Sequence, residues 1–174
     1  MGTETTAADI REATSAQDFQ EFGQLCRQYV DWCRERHKDT PWLIEEIFGH
    51  QALDQELPAL ADKYGPPHGK TLLAFLDGEV VGGGAWRKSS ATTCEMKRVF
   101  VLDKAKGRGL GRHLVEAIIA SAHADGFRLM QLDTGTRFTE AIALYSRMGF
   151  ERCPPYLTYP EKLMPFLVFM QKSI

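Results

Sequence analysis

The stretch from Glu95 to Arg112, EMKRVFVLDKAKGRGLGR, limits the possible folds of this chain more than any other. An apolar-rich run, Glu95 to Leu102, reads as a strand; it passes into a loop of Lys, Arg and Gly, and a helix begins at about Leu110. Glycines at 107, 109 and 111 leave backbone amides uncovered at the start of that helix. Orphan N–H groups and the positive end of the helix dipole favour an anion there, typically phosphate. Lys104, Lys106, Arg108 and Arg112 add positive charge around the same point. One glycine would read as a softened turn on a solvated basic patch. Three at alternate positions among these cations read as a phosphate site.

Two familiar phosphate loops can be tested against it. A Walker A loop needs Gly-Lys followed by Ser or Thr, and here Gly111 is followed by Arg112 and His113. The dinucleotide fingerprint is closer, since a strand, glycines, a helix and a strand ending in Asp133 follow in order. Its glycines are spaced GxGxxG, however, and these are spaced GxGxG. Leu102 to Lys106 also intervene where that fingerprint wants a tight turn. A dinucleotide-binding oxidoreductase stays as a minor alternative.

Around this centre the chain reads as one α+β domain. At 174 residues it is long enough to bury roughly 70% of its unfolded surface in a single core. Residues 1–9 read as a loose polar tail and 10–174 as the domain. Ile10 to Ala13 is a short strand, and Asp18 to Arg36 a helix capped by Thr14 or Ser15. Its apolar stripe runs through Phe22, Leu25, Cys26, Tyr29, Val30, Trp32 and Cys33. A second helical pattern from Trp42 to Tyr64 is interrupted near Gly49, and Pro58 starts a further turn. Gly65-Pro66-Pro67 breaks it.

Lys70 to Leu76 and Glu79 to Arg87 form a hairpin across Asp77-Gly78, the strongest short-range hairpin signal. Gly82-Gly83-Gly84 inside the second strand marks a bulge or a close backbone approach. Leu110 to Ala124 is an amphipathic helix, Phe127 to Asp133 a strand, and Thr139 to Met148 a helix ended at Gly149. Phe150 to Arg152 and Pro165 to Gln171 are the last strands. The strands on either side of the Leu110 helix should be parallel neighbours. The expected architecture is three-layered, with a single mixed, largely antiparallel sheet of about six to seven strands flanked by helices.

A net charge of −2 and a pI near 6.2 give no reason to expect nucleic acid as a partner. No apolar run approaches a membrane span and no signal-peptide core opens the chain. Four cysteines without CxxC spacing fit free thiols in a reducing cytoplasm, and no metal-ligand set accompanies them. The five histidines share no spacing, and packing at the core or rim suits them better than catalysis. The proline-rich C-terminal strands offer a surface for a homodimer.

Two segments resemble a known family. Lys106-Gly107-Arg108-Gly109-Leu110-Gly111 is similar to the acetyl-CoA loop of the GNAT family of N-acetyltransferases, Gln/Arg-x-x-Gly-x-Gly/Ala, with Lys in the first place. Downstream, Ala141-Ile-Ala-Leu144-Tyr145-Ser-Arg-Met-Gly149-Phe150 resembles that family's second motif, Ala-x-x-Leu-Tyr-x-x-x-Gly-Phe. The resemblance covers about Leu72 to Phe150. It implies a GNAT-like fold, acetyl-CoA as cosubstrate without a metal, and transfer of the acetyl group to a primary amine of a small-molecule acceptor in a ternary complex. A non-catalytic acyl-CoA-binding module on the same fold is the alternative.

The resemblance also implies roles. Backbone near Val99, Phe100 and Val101 would hold the pantetheine arm and thioester carbonyl. Amides from Lys106 through Gly107, Arg108, Gly109, Leu110 and Gly111 to Arg112 would hold the diphosphate. Tyr145 occupies the general-acid position; a phenol of pKa about 10 can protonate a departing thiolate at neutral pH. Glu95 stands where some members carry a general base, with a cross-strand ion pair as the competing role. Regular alternation would put Glu95, Lys97, Val99 and Val101 on one face. The family often has Asn three residues before the Ala of its second motif; here Phe138 stands there, so an amide contact is lost or moves to Thr136 or Thr139.

Trp32, Trp42, Phe48, Tyr156 and Tyr159 hint at an apolar acceptor pocket, and Glu45, Glu46, Asp54 and Glu56 at a cationic acceptor.

Overall fold

A computed structural model of the chain describes residues 8–174. Of the expected tail, residues 1–7 lie outside the described residues and Asp9 already belongs to a strand. The strands are β1 (Asp9–Glu12), β2 (Gly69–Leu76), β3 (Glu79–Lys88), β4 (Thr93–Val101), β5 (Leu129–Gly135), β6 (Glu151–Arg152) and β7 (Leu167–Ser173). The helices are α1 (Ala16–Arg36), α2 (Pro41–His50), α3 (Leu53–Glu56), α4 (Leu60–Tyr64), α5 (Leu110–Ala124) and α6 (Thr139–Arg147). All seven strands form one sheet in the order β1-β2-β3-β4-β5-β7-β6. Every neighbouring pair is antiparallel except β4–β5, the parallel pair expected around α5. The last strand starts at Leu167, later than expected, because Pro165 lies in a 3-10 turn over Glu161–Phe166.

Local chemistry accounts for the joints. Ser15 caps α1 by accepting from Asp18 N at 3.1 Å, and Asp18 returns the bond to Ser15 N at 3.0 Å. Arg11 reaches the same carboxylate from β1 and so ties the helix start to the sheet edge. Asp77 and Gly78 both have positive φ, 52° and 82°, the conformation a two-residue hairpin turn requires.

The sheet separates two cores. On one face α5 and α6 pack over Trp86, Cys94, Met96, Met130, Leu132 and Met170; on the other α1 and α4 pack over Leu73 and Ala85. The glycine run in β3 lets both layers approach the sheet. A Cβ at Gly83 would lie 2.9 Å from Leu25 Cδ2 of α1, and one at Gly84 would lie 2.8 Å from Ile118 Cδ1 of α5.

Opposite Gly84 the register slips. Ala85 pairs with Lys97 and Gly83 with Phe100, so Arg98 and Val99 together face one residue. Arg98 takes φ 58° to make this bulge. The extra residue ends the simple alternation expected for β4. Cys94 and Met96 share the α5 side with Val99 and Val101, whereas Phe100 packs with the α1 layer. Glu95 and Lys97 therefore stand on the opposite face from Val99 and Val101.

Candidate active site

The functional cavity follows from how the parallel pair ends. β4 and β5 are paired only at Thr93–Leu129, Cys94–Met130 and Glu95–Gln131. Beyond Glu95, β4 continues against β3 and β5 continues against β7, so the two diverge. Their facing backbone edges, Met96–Val101 and Leu132–Gly135, have no strand partner across the gap. They border a cavity of about 690 Å³. Val99, Phe100 and Val101 all line it.

At one end stands the glycine loop. Gly107 and Gly109 have φ of 78° and 72°, which a side chain would strain. Gly109 directly precedes the first turn of α5. The amides of residues 107–112 have no backbone acceptor among the described residues. Lys106, Gly107, Gly109, Leu110, Gly111 and Arg112 line the cavity, and Arg108 does not. Three of the four loop cations are engaged in exposed ion pairs: Lys104 with Glu79, Lys106 with Asp103 and Arg112 with Glu116. Such surface pairs are worth at most about 1 kcal/mol and yield readily to a doubly charged ligand.

Tyr145 of α6 lines the same cavity, with its ring edge-on to Phe150. Burial, and then the negative charge of Asp133, push its hydroxyl up to about 12. It therefore keeps its proton through the neutral range.

Glu95 is elsewhere. It is 1% exposed and does not line the cavity. Its Oε1 accepts from Arg87 Nε at 3.0 Å, the residue directly across the β3–β4 ladder. Oε2 lies 3.6 Å from Lys97 Nζ and has no hydrogen-bond partner. The structure thus forms the cross-strand ion pair and does not bring Glu95 beside Tyr145.

Two carboxylates do line the cavity: Glu140 of α6, exposed and paired with Arg36, and the buried Asp133 on β5. Lys97 Nζ donates to its Oδ1 at 2.8 Å and Tyr159 Oη to its Oδ2 at 2.8 Å. Burial works against its charge, but Lys97's charge and these hydrogen bonds prevail and hold it below the ordinary carboxylate value. The same bonds continue outward: Gln51 Nε2 donates to Tyr159 Oη at 2.9 Å, and Arg98 Nη1 to Gln51 Oε1 at 2.8 Å. Arg98 Nε then reaches Glu56 Oε2 at 2.8 Å. Glu56 also accepts from Tyr64 and Lys63. Burial opposes its charge too, yet Arg98, Lys63 and Tyr64 keep it below its usual value.

The far lobe of the cavity is apolar, walled by Leu43, Ile44, Ile47 and Phe48 of α2 with Phe166 and Leu167. Trp42, the large apolar side chain most exposed in the described residues, meets Phe166 edge-on at the rim. Phe138 stacks on Trp32 and lines the cavity, while neither Thr136 nor Thr139 does; Thr134 does. His37 lines it too, with Nδ1 3.0 Å from Cys33 O.

Sequence reasoning met Asp133 only in the dinucleotide pattern and as a strand end, met Lys97 only as a neighbour and ion-pair partner of Glu95, and passed over Arg98. Two adjacent cations inside an apolar strand were the available signal. Among the described residues no helix is long and apolar enough to cross a membrane.

Comparison with known proteins finds similarity to a family model, to relatives in sequence and to solved structures. The Acetyltransferase (GNAT) family model matches residues 37–150. An uncharacterized N-acetyltransferase of Schizosaccharomyces pombe is 33% identical over 157 residues, covering 89% of this chain and 88% of the relative. An IAA acetyltransferase of Azospirillum brasilense is 36% identical over 109 residues, 62% of this chain and 70% of its own. Among solved structures, an acetyltransferase of Streptococcus agalactiae superposes with a TM-score of 0.74 at 18% identity, covering 96% and 98% of the two chains. The PaiA N-acetyltransferase of Thermoplasma acidophilum in complex with coenzyme A gives 0.69 at 16% identity, covering 97% and 99%.

Proposed function

Since the chain belongs to the GNAT acetyltransferase family, we propose that it transfers the acetyl group of acetyl-CoA to a primary amine of a small molecule by direct attack in a ternary complex. The observation that carries this is the gap between diverging β4 and β5, which ends on the uncovered amides of residues 107–112. Its shape and donors fit a diphosphate with an extended arm. Six residues offer main-chain donors to the diphosphate: Gly107, Arg108, Gly109, Leu110, Gly111 and Arg112; Lys106 brings its charge alongside. The gap-facing backbone edge of Val99, Phe100 and Val101, unpaired on the β5 side, offers ladder-like bonds to the arm and a donor to the thioester carbonyl.

Bound acetyl-CoA supplies an activated acyl group and a thiolate leaving group. The protein's part is to hold that acyl group against the amine and to manage two protons. Tyr145 gives a proton at the sulfur; its raised pKa keeps it protonated at working pH. The amine loses a proton toward the polar end of the cavity, where Asp133 and Lys97 stand. Glu95, behind Lys97, acts there as a positioning residue.

Four free thiols, three of them buried, suit a reducing cytoplasm. Incubating the protein with acetyl-CoA and a broad amine panel, with thiol release as the readout, tests the reading. Release that depends on an amine is the expected result. Tight coenzyme A binding without release from any amine would favour a non-catalytic acyl-CoA module.

A further inference from the structure

Resting on the acetyltransferase reading above, we propose that the acceptor is an apolar α-amino acid whose carboxylate is held by Arg98 and whose side chain fills the lobe of Ile44, Ile47, Phe48 and Phe166. Arg98 is an unusual residue for its place. A non-glycine side chain at φ 58° is rare, and here it forms the bulge at the edge of the cavity, with its guanidinium held by Glu56 and Gln51. The side chain is only 5% exposed, yet it borders both the main cavity and a smaller one of about 200 Å³ beside it.

Its fork of N–H groups is not used up. Nε donates to Glu56, Nη1 gives one bond to Gln51, and Nη2 lies 2.8 Å from Glu56 Oε2. One N–H on each Nη nitrogen is left over. Two parallel donors on a planar cation match a carboxylate. The α2 wall of Leu43, Ile44, Ile47 and Phe48 offers an anion no partner, and the cation that stands against it is Arg98, 5.5 Å over the Phe48 ring.

The charges around the lobe argue against a polyamine. Glu45 is paired with Arg34 at 2.9 Å, Glu46 with Lys162 at 2.8 Å, and Glu56 with Lys63 and Arg98. Asp133 is held by Lys97. Inside the cavity a second or third ammonium would meet Lys97 and Arg98, with the buried Asp133 already paired; the carboxylates left to it are exposed ones, Glu140 paired with Arg36, and Asp54 outside the lining. An α-amino acid that attacks through its neutral amine carries one negative charge, directed at Arg98.

Matched pairs test this: leucine against isoamylamine and phenylalanine against phenethylamine, with spermidine as a polyamine, each read as kcat/KM from thiol release. Each amino acid should exceed its decarboxylated partner by about 10- to 100-fold. Arg98→Lys keeps a cation beside Glu56 but loses the fork; it should shrink that ratio severalfold, mainly through KM, with coenzyme A affinity unchanged. Equal rates within pairs, or preference for spermidine, would overturn the proposal.

If no acceptor turns over, calorimetric titration of N-acetylleucine and N-isoamylacetamide onto the coenzyme A-bound protein reads the same site. Tighter binding of N-acetylleucine, lost in Arg98→Lys, supports it, and equal binding overturns it. Failure to bind coenzyme A would overturn the acetyltransferase reading and this proposal with it.

Discussion

Replacing Tyr145 by Phe removes one oxygen from the cavity and little else. The ring keeps its edge-on contact with Phe150, 5.7 Å between centroids. The hydroxyl is raised by burial and by Asp133, with no hydrogen bond contributing, so no protein partner is orphaned by its loss. Stability should therefore change by no more than about 0.5 kcal/mol. Coenzyme A affinity should hold as well, because the diphosphate grip lies in the loop. The chemical step is different: with a pKa pushed up to about 12, Tyr145 is protonated at pH 7.5 and ready to donate. Loss of a general acid costs about 100-fold or more. Single-turnover acetyl transfer under saturating acetyl-CoA isolates that step from product release. An unchanged single-turnover rate, with unchanged affinity and melting temperature, would remove Tyr145 from the mechanism.

Glu95→Gln should destabilise the fold by on the order of 2 kcal/mol in chemical denaturation, since Arg87 and Lys97 lose a buried partner, while kcat falls less than about tenfold. A hundredfold loss of kcat in a stably folded variant would make Glu95 the proton acceptor after all. Gly84→Ala should cost about 1–3 kcal/mol, because its Cβ would stand 2.8 Å from Ile118 Cδ1 and 2.9 Å from Val99 Cγ2. Gly49→Ala, on α2 with nothing within 4 Å, should gain roughly 0.5–1 kcal/mol; equal effects of the two would refute the packing account. Alkaline pH should unfold the protein steeply. Burial pushes Cys26, Cys33 and Cys94 up to about 12 from about 9. Their stabilisation is complete below pH about 9, where both states are protonated, and is lost as pH rises toward 12. Each contributes a slope of up to about 1.4 kcal/mol per pH unit. Calorimetry at pH 8 and pH 10.5 should show a clear fall in Tm, and a flat profile would contradict the burial of these thiols.

Much of the fold was legible because its signals are local. Asp77-Gly78 dictates its own turn, the glycine loop needs positive φ within a few residues, and a strand-helix-strand unit dictates a parallel pair. The Gly82-Gly83-Gly84 run was readable as a close approach, though not against what. That run also signalled a bulge, and the register does slip opposite Gly84, but that the extra residue would be Arg98 on the facing strand was not legible. For the same reason the side of β4 that each residue occupies had to await the structure.

The site divides likewise. Loop and Tyr145 carry motifs, whereas Asp133–Lys97 and Arg98–Glu56 join residues 36 and 42 apart in sequence. Pairings of that range leave no periodic trace. Of the acidic residues that hinted at a cationic acceptor, Glu45, Glu46 and Glu56 stand in ion pairs that link distant parts of the chain, which composition could not show.

The central claim is that the gap between β4 and β5 seats coenzyme A. A crystal structure of the protein grown with coenzyme A measures this directly. The account expects diphosphate oxygens within hydrogen-bond distance of the amides of residues 107–112 and the pantetheine arm along Val99–Val101. Coenzyme A bound at another surface, with this gap filled by side chains, would contradict it.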